Sequence, residues 1–218
     1  MKVNGGRLFD VKLRWCRTGS ATRLNIVSLL LVFPVLVSPR AAAAQGSNEI
    51  ETAVVFYADP GVEASVWPSL VDAFRNEVLQ EANEYPLPTD AEPIRGSSVA
   101  QGQEFGKIIQ VHLIGRCDVV EQAQRPVTRG PLGWVLDVSG EIQPFVYINC
   151  DRVAQFLNPT TLGMNDDQRR EAMARAISRI AIHEWIHIDA QSARHASHGI
   201  RQAELSGAEL TGGSAGGR

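Results

Sequence analysis

Four of the chain's five histidines stand between His183 and His198, in the stretch AIHEWIHIDAQSARHASHGIR (residues 181–201). His183 and His187 are four residues apart, so on a helix their imidazoles project from one face, one turn from each other. The surrounding residues favour that helix. Ile177, Ile180, Ala181 and Trp185 supply an apolar surround, and Asn165 or Asp166 is placed to cap a segment running from about 167 to 190. Any fold for this chain must therefore seat a long helix whose last turns present two imidazoles to one point.

Glu184 lies between the two histidines, giving H-E-x-x-H. Two neutral imidazoles at this spacing reach one tetrahedral zinc ion at about 2.1 Å, and the adjacent carboxylate is aimed at the ion's open position, where it can take a proton from bound water. With so few histidines in the chain, this pattern arises by accident in fewer than about one such sequence in a hundred. A metal-free helix that merely packs its histidines is the competing reading. A third ligand is needed, and His195, eight residues past His187, and His198 are the candidates. Glu204 or Glu209, on a later helix, would be a carboxylate alternative. If His195 and His198 both joined, the site would be closed and structural rather than catalytic. Asp189 and Asp151 are carboxylates that could accept the outer N–H of a ligating histidine, or simply face solvent.

On these residues the sequence resembles the zincin metallopeptidases, and among them the metzincin-like branch, whose third histidine comes from just beyond the H-E-x-x-H helix. HEWIHIDAQSARHASHGI is similar to the pattern of a group of small secreted bacterial zincin-like proteins: H-E-x-x-H, seven residues, then H-S-x-x-G-I-M. His183, Glu184, His187, His195, Gly199 and Ile200 match, and FVYINCDRV (Phe145–Val153) is similar to a strand of that group ending in Tyr-Asp-Arg-Val. The resemblance runs from about Gly133 to Leu210. It departs at Gln191, where a glycine commonly turns the chain, and at Arg201, in place of the methionine. The resemblance implies a zinc-dependent peptidase of endopeptidase type with His183, His187 and His195 as metal ligands and Glu184 as general base. It also implies a peptide or protein substrate lying extended along the strand that borders the cleft, within 133–149 and centred on QPFVYIN. The alternative is a zincin-fold binding module, or a structural-zinc protein, without peptidase activity.

The rest of the chain reads as an α+β domain: a small mixed sheet with the long H-E-x-x-H helix packed on one face. ETAVVFYAD (51–59) is a strand, and Val66, Leu70, Phe74, Val78 and Leu79 recur at helical spacing over about 65–83. Residues 86–106 carry scattered Pro, Gly and Ser without a period and read as a loop. Lys107–Cys117 is a strand in which His112 alternates with apolar neighbours, a structural position. LGWVLDV and IQPFVYINC form a hairpin, and Asp151 is placed to cap a short helix through Leu157.

The first 44 residues read as a secretory signal: a basic stretch, the apolar run IVSLLLVFPVLV (26–37), too short for a membrane span, then an alanine tract. An uncleaved anchor is the alternative. Removing them leaves 14 basic against 23 acidic residues, a net charge of −9 over 174 residues, one core's worth of chain with no basic face for nucleic acid and no stable membrane insertion. The expected domain is 45–210, followed by a disordered tail, 211–218. Cys117 and Cys150 remain in the exported part, an even pair suited to a disulfide in a secreted or periplasmic protein. Two separate buried thiols would be the other outcome.

Overall fold

Alternate residues of the strand over Lys107–Ile114 are buried, whereas in the neighbouring strand over Thr52–Tyr57 five consecutive residues are buried, so the sheet is covered on both faces at its centre. The computed structural model describes residues 50–58, 60–117 and 130–212, all within the unit Gln45–Arg218. The expected secretory signal and residues 213–218 of the expected tail lie outside the described residues. Five strands, β1 (Thr52–Tyr57), β2 (Glu92–Arg95), β3 (Lys107–Ile114), β4 (Gly133–Val138) and β5 (Glu141–Asn149), are ordered β2-β1-β3-β5-β4. The first four in that order are parallel, and β4 pairs antiparallel with β5 at the edge. The fold is thus α+β with a mixed sheet.

Register identifies the two faces. Phe56, Val111, Val146 and Val135 lie in one row across β1, β3, β5 and β4. Helix α1 (Pro60–Glu81) packs on that face, with Trp67 and Phe74 edge-on to Phe56 at 5.9 and 5.6 Å between ring centres. Full burial of side chains such as Leu70 and Phe74 contributes about 2 kcal/mol each. The long helix α3 (Asp166–Ala190) packs against α1 and lies over β5 and β4 on the same face. On the other face a row of rings, Tyr57, His112, Tyr147 and Trp134, stacks across the strands at 5.1 to 5.5 Å. His112 is a member of that row, consistent with a structural position.

α3 begins as its sequence requires. Asn165 accepts from the Gln168 N–H, and the Gln168 side chain accepts from the Asn165 N–H, closing a capping box ahead of Asp166 and Asp167. Buried Met173, Ile177, Ile182 and Trp185 mark more than one side of the helix, which contacts the sheet, α1, α2 (Cys150–Leu157) and α4 (Gly207–Leu210). Buried Glu77 on α1 meets Arg179 of α3 at 3.1 Å, which ties the two helices together.

Three expectations are corrected. Residues 86–106 are not all loop: Glu92–Arg95 forms edge strand β2, short and interrupted by Pro93, followed by a 3-10 turn at Gly96–Ser98. Pro is tolerated there because an edge strand can leave one side unpaired. The cap of α2 is Asn149, whose side chain accepts from Arg152 N–H, and Asp151 stands inside the first turn. α1 also starts earlier than expected, at Pro60. Cys117 and Cys150, both buried, form a disulfide with Cα atoms 4.7 Å apart, tying the chain beyond β3 to the start of α2. Among the described residues no helix is long and apolar enough to cross a membrane.

Candidate metal centre

The last turns of α3 put His183 and His187 side by side, with Nε2 atoms 3.1 Å apart and rings nearly perpendicular. His195 comes from the segment after the helix and closes the group, with ring centres 5.3 Å from His183 and 4.8 Å from His187. One ligand atom from each of the three lies within 4.8 Å of the others, and no other such group of His, Cys, Asp or Glu occurs among the described residues. Nitrogen ligands around a tetrahedral ion at about 2.1 Å are separated by about 3.4 Å, within the spread found here. Three histidines are therefore placed to hold a metal ion.

The outer nitrogens fix the tautomers. His183 Nδ1–H donates to the Ile200 carbonyl and His187 Nδ1–H to the Ser192 carbonyl, each at 2.6 Å. A carbonyl only accepts, so the proton sits on Nδ1 and, in the neutral ring, the Nε2 lone pair is turned inward. Two such lone pairs facing each other at 3.1 Å repel unless a cation lies between them. Burial is the main cause that pushes the His183 pKa down to about 4, with the neighbouring His187 and His195 acting in the same direction against the Ile200 carbonyl. Burial and His187 likewise lower that of exposed His195. Both are held in the neutral form that binds metals.

The segment carrying His195 is built to return to the helix. It leaves α3 through a left-handed residue, Gln191, whose turn sends the Ser192 N–H back to the His187 carbonyl at 3.2 Å. It is closed by a bridge between Ala196 and Gln202, with the Ala196 N–H on the Arg201 carbonyl at 2.9 Å. Gly199 makes the reversal at φ 70°, and Ile200, 1 % exposed, anchors it in the core. This explains why Gly199 and Ile200 matter: one turns the chain and the other holds the carbonyl on His183. Arg201 points elsewhere, its guanidinium 5.5 Å from the centre of the Tyr85 ring.

Glu184 is buried on the side of α3 that meets β4, and burial raises its carboxyl pKa to about 7. β4 comes this close because residue 133 is glycine: a Cβ there would run into Ile180 Cγ2 and come within 3.4 Å of Glu184 Oε1. Glu184 and the three histidines share one open cavity of about 400 Å³, lined also by Leu132, Val135, Ile180, Leu205 and Leu210.

Of the residues singled out in the sequence, His183, Glu184, His187 and His195 are brought together, whereas the rivals are not. His198 is exposed and lies beside the Ser197 hydroxyl at 3.2 Å. Glu204 is exposed, and Glu209 is occupied capping α4 and accepting from Gln202 at 2.7 Å. The outer N–H of each α3 histidine goes to a main-chain carbonyl rather than to Asp189 or Asp151. Asp189 pairs with Lys107, and Asp151 packs under Gly115. The strand bordering the cavity is β4, while QPFVYIN is β5, enclosed between β3 and β4. The carbonyls of Ser192 and Ile200 and the side chain of Gln191 escaped sequence reading. Backbone roles carry no side-chain signature, and only the Gln191 departure marked that turn. Compared with known proteins, the chain matches no family model, no curated protein and no solved structure.

Proposed function

We propose that this chain is an exported zinc-dependent peptidase of the zincin type, with His183, His187 and His195 as ligands and Glu184 as general base. The observation that carries the reading is the meeting, in one open cavity, of three imidazoles within ligand distance of one another and a buried carboxylic acid beside an edge strand. Imidazole-only ligation suits zinc, and three protein ligands leave a position for substrate and water, as a hydrolytic site requires. Zinc held there would polarise a scissile carbonyl and acidify a bound water.

The chain's own residues supply the rest. Glu184, with a pKa near neutrality, takes the proton of the attacking water and passes it to the departing amine, a task for which a pKa close to the working pH is most efficient. Among the described residues no strand pairs with the outer edge of β4, which borders the cavity, so its N–H and C=O groups there can pair with an extended peptide. The apolar walls Leu132, Val135, Leu205 and Leu210 favour an apolar side chain next to the bond to be cut. The disulfide and the secretory-type leader support an exported location.

Cleavage of a mixed pool of unstructured peptides by wild type and Glu184→Ala, with metal content measured alongside, tests this. The variant should keep its fold and metal while losing at least about 100-fold in hydrolysis. Equal cleavage by both proteins would remove Glu184 as the base. A metal-loaded wild type that cleaves nothing across the pool would leave a zinc-binding module instead.

A further inference from the structure

Gln191 stands at φ 46°, ψ 43°, and the only other non-glycine residue at positive φ among the described residues is Ser139, in the β4–β5 turn. For a residue with a Cβ, that conformation costs about 1–2 kcal/mol, and glycine is the usual occupant of a helix-ending turn of this kind. A glutamine there calls for a compensating interaction, and its side chain has one. Oε1 accepts from the Ile142 N–H at 3.0 Å, while Nε2 donates to the Ile142 carbonyl at 2.9 Å and to the Ile188 carbonyl at 2.8 Å. One amide group therefore grips both main-chain groups of a single residue, as a neighbouring strand would.

The position of that residue gives the contact its meaning. Ile142 is the second residue of β5, paired with Asp137 at the far end of β4, the strand that borders the cavity. On the helix side, the same left-handed turn aims the Ser192 carbonyl at His187 Nδ1. We infer that Gln191 is a positioning residue that clamps the β4–β5 hairpin to the end of α3 and, through its turn, holds the Ser192 carbonyl that orients His187 toward the metal. The inference rests on the three-histidine metal reading and is independent of hydrolysis.

Gln191→Gly separates the clamp from the turn, because it relieves the backbone while deleting the side-chain bonds. Gln191→Glu keeps length and acceptor but removes the two donors, and serves if the glycine variant fails to fold. Three quantities would be read on the purified full protein: zinc affinity by competition with a chromophoric chelator, the visible spectrum of the cobalt-substituted protein, and hydrogen exchange at the Ile142 amide. Loss of groups that orient a ligand typically weakens metal binding by about 10- to 100-fold. Both variants should show a loss on that scale, with altered cobalt bands and faster exchange at Ile142. Wild-type zinc affinity and an unchanged cobalt spectrum in Gln191→Gly would overturn the inference, leaving Gln191 a turn residue only. A wild-type protein that takes up neither metal would overturn it together with the metal centre. Wild type that binds zinc without cleaving peptides would count against the peptidase reading alone, and the affinity comparison would still decide the role of Gln191.

Discussion

Glu184 and His183 are neighbours in sequence, and burial moves them in opposite senses: the acid is pushed up to about 7 and the imidazole down to about 4. Both shifts favour the neutral form of the group concerned. The acid's shift has a consequence for stability. Its folded pKa lies above the unfolded value of about 4.3, so the folded state binds the extra proton and stability falls as pH rises between those values. Glu184→Gln removes this titration. With a chelator present, the stability of Glu184→Gln relative to wild type should increase by on the order of 3 kcal/mol from about pH 5 to about pH 8. Denaturant melts of both proteins across that range would show it, and a constant difference would mean the carboxyl is not desolvated. At this scale the sequence was informative where side chains make the contacts. The pairing of His183 with His187 was legible because helix geometry sets it, while spacing left His195 and His198 both open and the family resemblance pointed to His195. The carbonyls of Ser192 and Ile200 were not legible, since every residue has one and only the folded turn selects which is used.

Among the elements, the meeting of β4 with α3 sets the cavity. It depends on Gly133, which admits Ile180 where a side chain would stand. Gly133→Ala must displace either Ile180 or the strand, and overpacking of this kind costs about 1–3 kcal/mol. Because Glu184 Oε1 lies on the same side, the variant should lose the proposed metal-dependent hydrolysis by a larger factor than its lower melting temperature explains, measured well below the transition. Unchanged stability and activity would show that the contact is soft. The central elements were readable from periodicity: β3 and β5 alternate, and α3 announces its start with Asn165 and its capping box. β2 was hidden by its length and by Pro93. The earlier start of α1 at Pro60 lies ahead of the apolar spacing that marked the helix.

For the whole molecule, the disulfide joins the chain beyond β3 to the start of α2, across a separation of 33 residues that includes β4 and β5. A loop of that size corresponds to about 3–4 kcal/mol in the chain-entropy model. Cys150→Ser should lower unfolding stability by about that amount in denaturant melts, and a change below about 1 kcal/mol would mean that the closed loop is already restrained by its own strands. The bridge was foreseen from the even cysteine count, while the β4 edge on the cavity was not, since the order of strands in a sheet is a property of the whole chain.

Metal content tests the three-histidine centre most directly. After equilibration with zinc and removal of the excess, the purified protein should carry about one zinc per chain. His187→Ala should carry none, His195→Ala should bind orders of magnitude more weakly, and His198→Ala should match wild type. Zinc-free wild type, or full occupancy in His187→Ala, would contradict it.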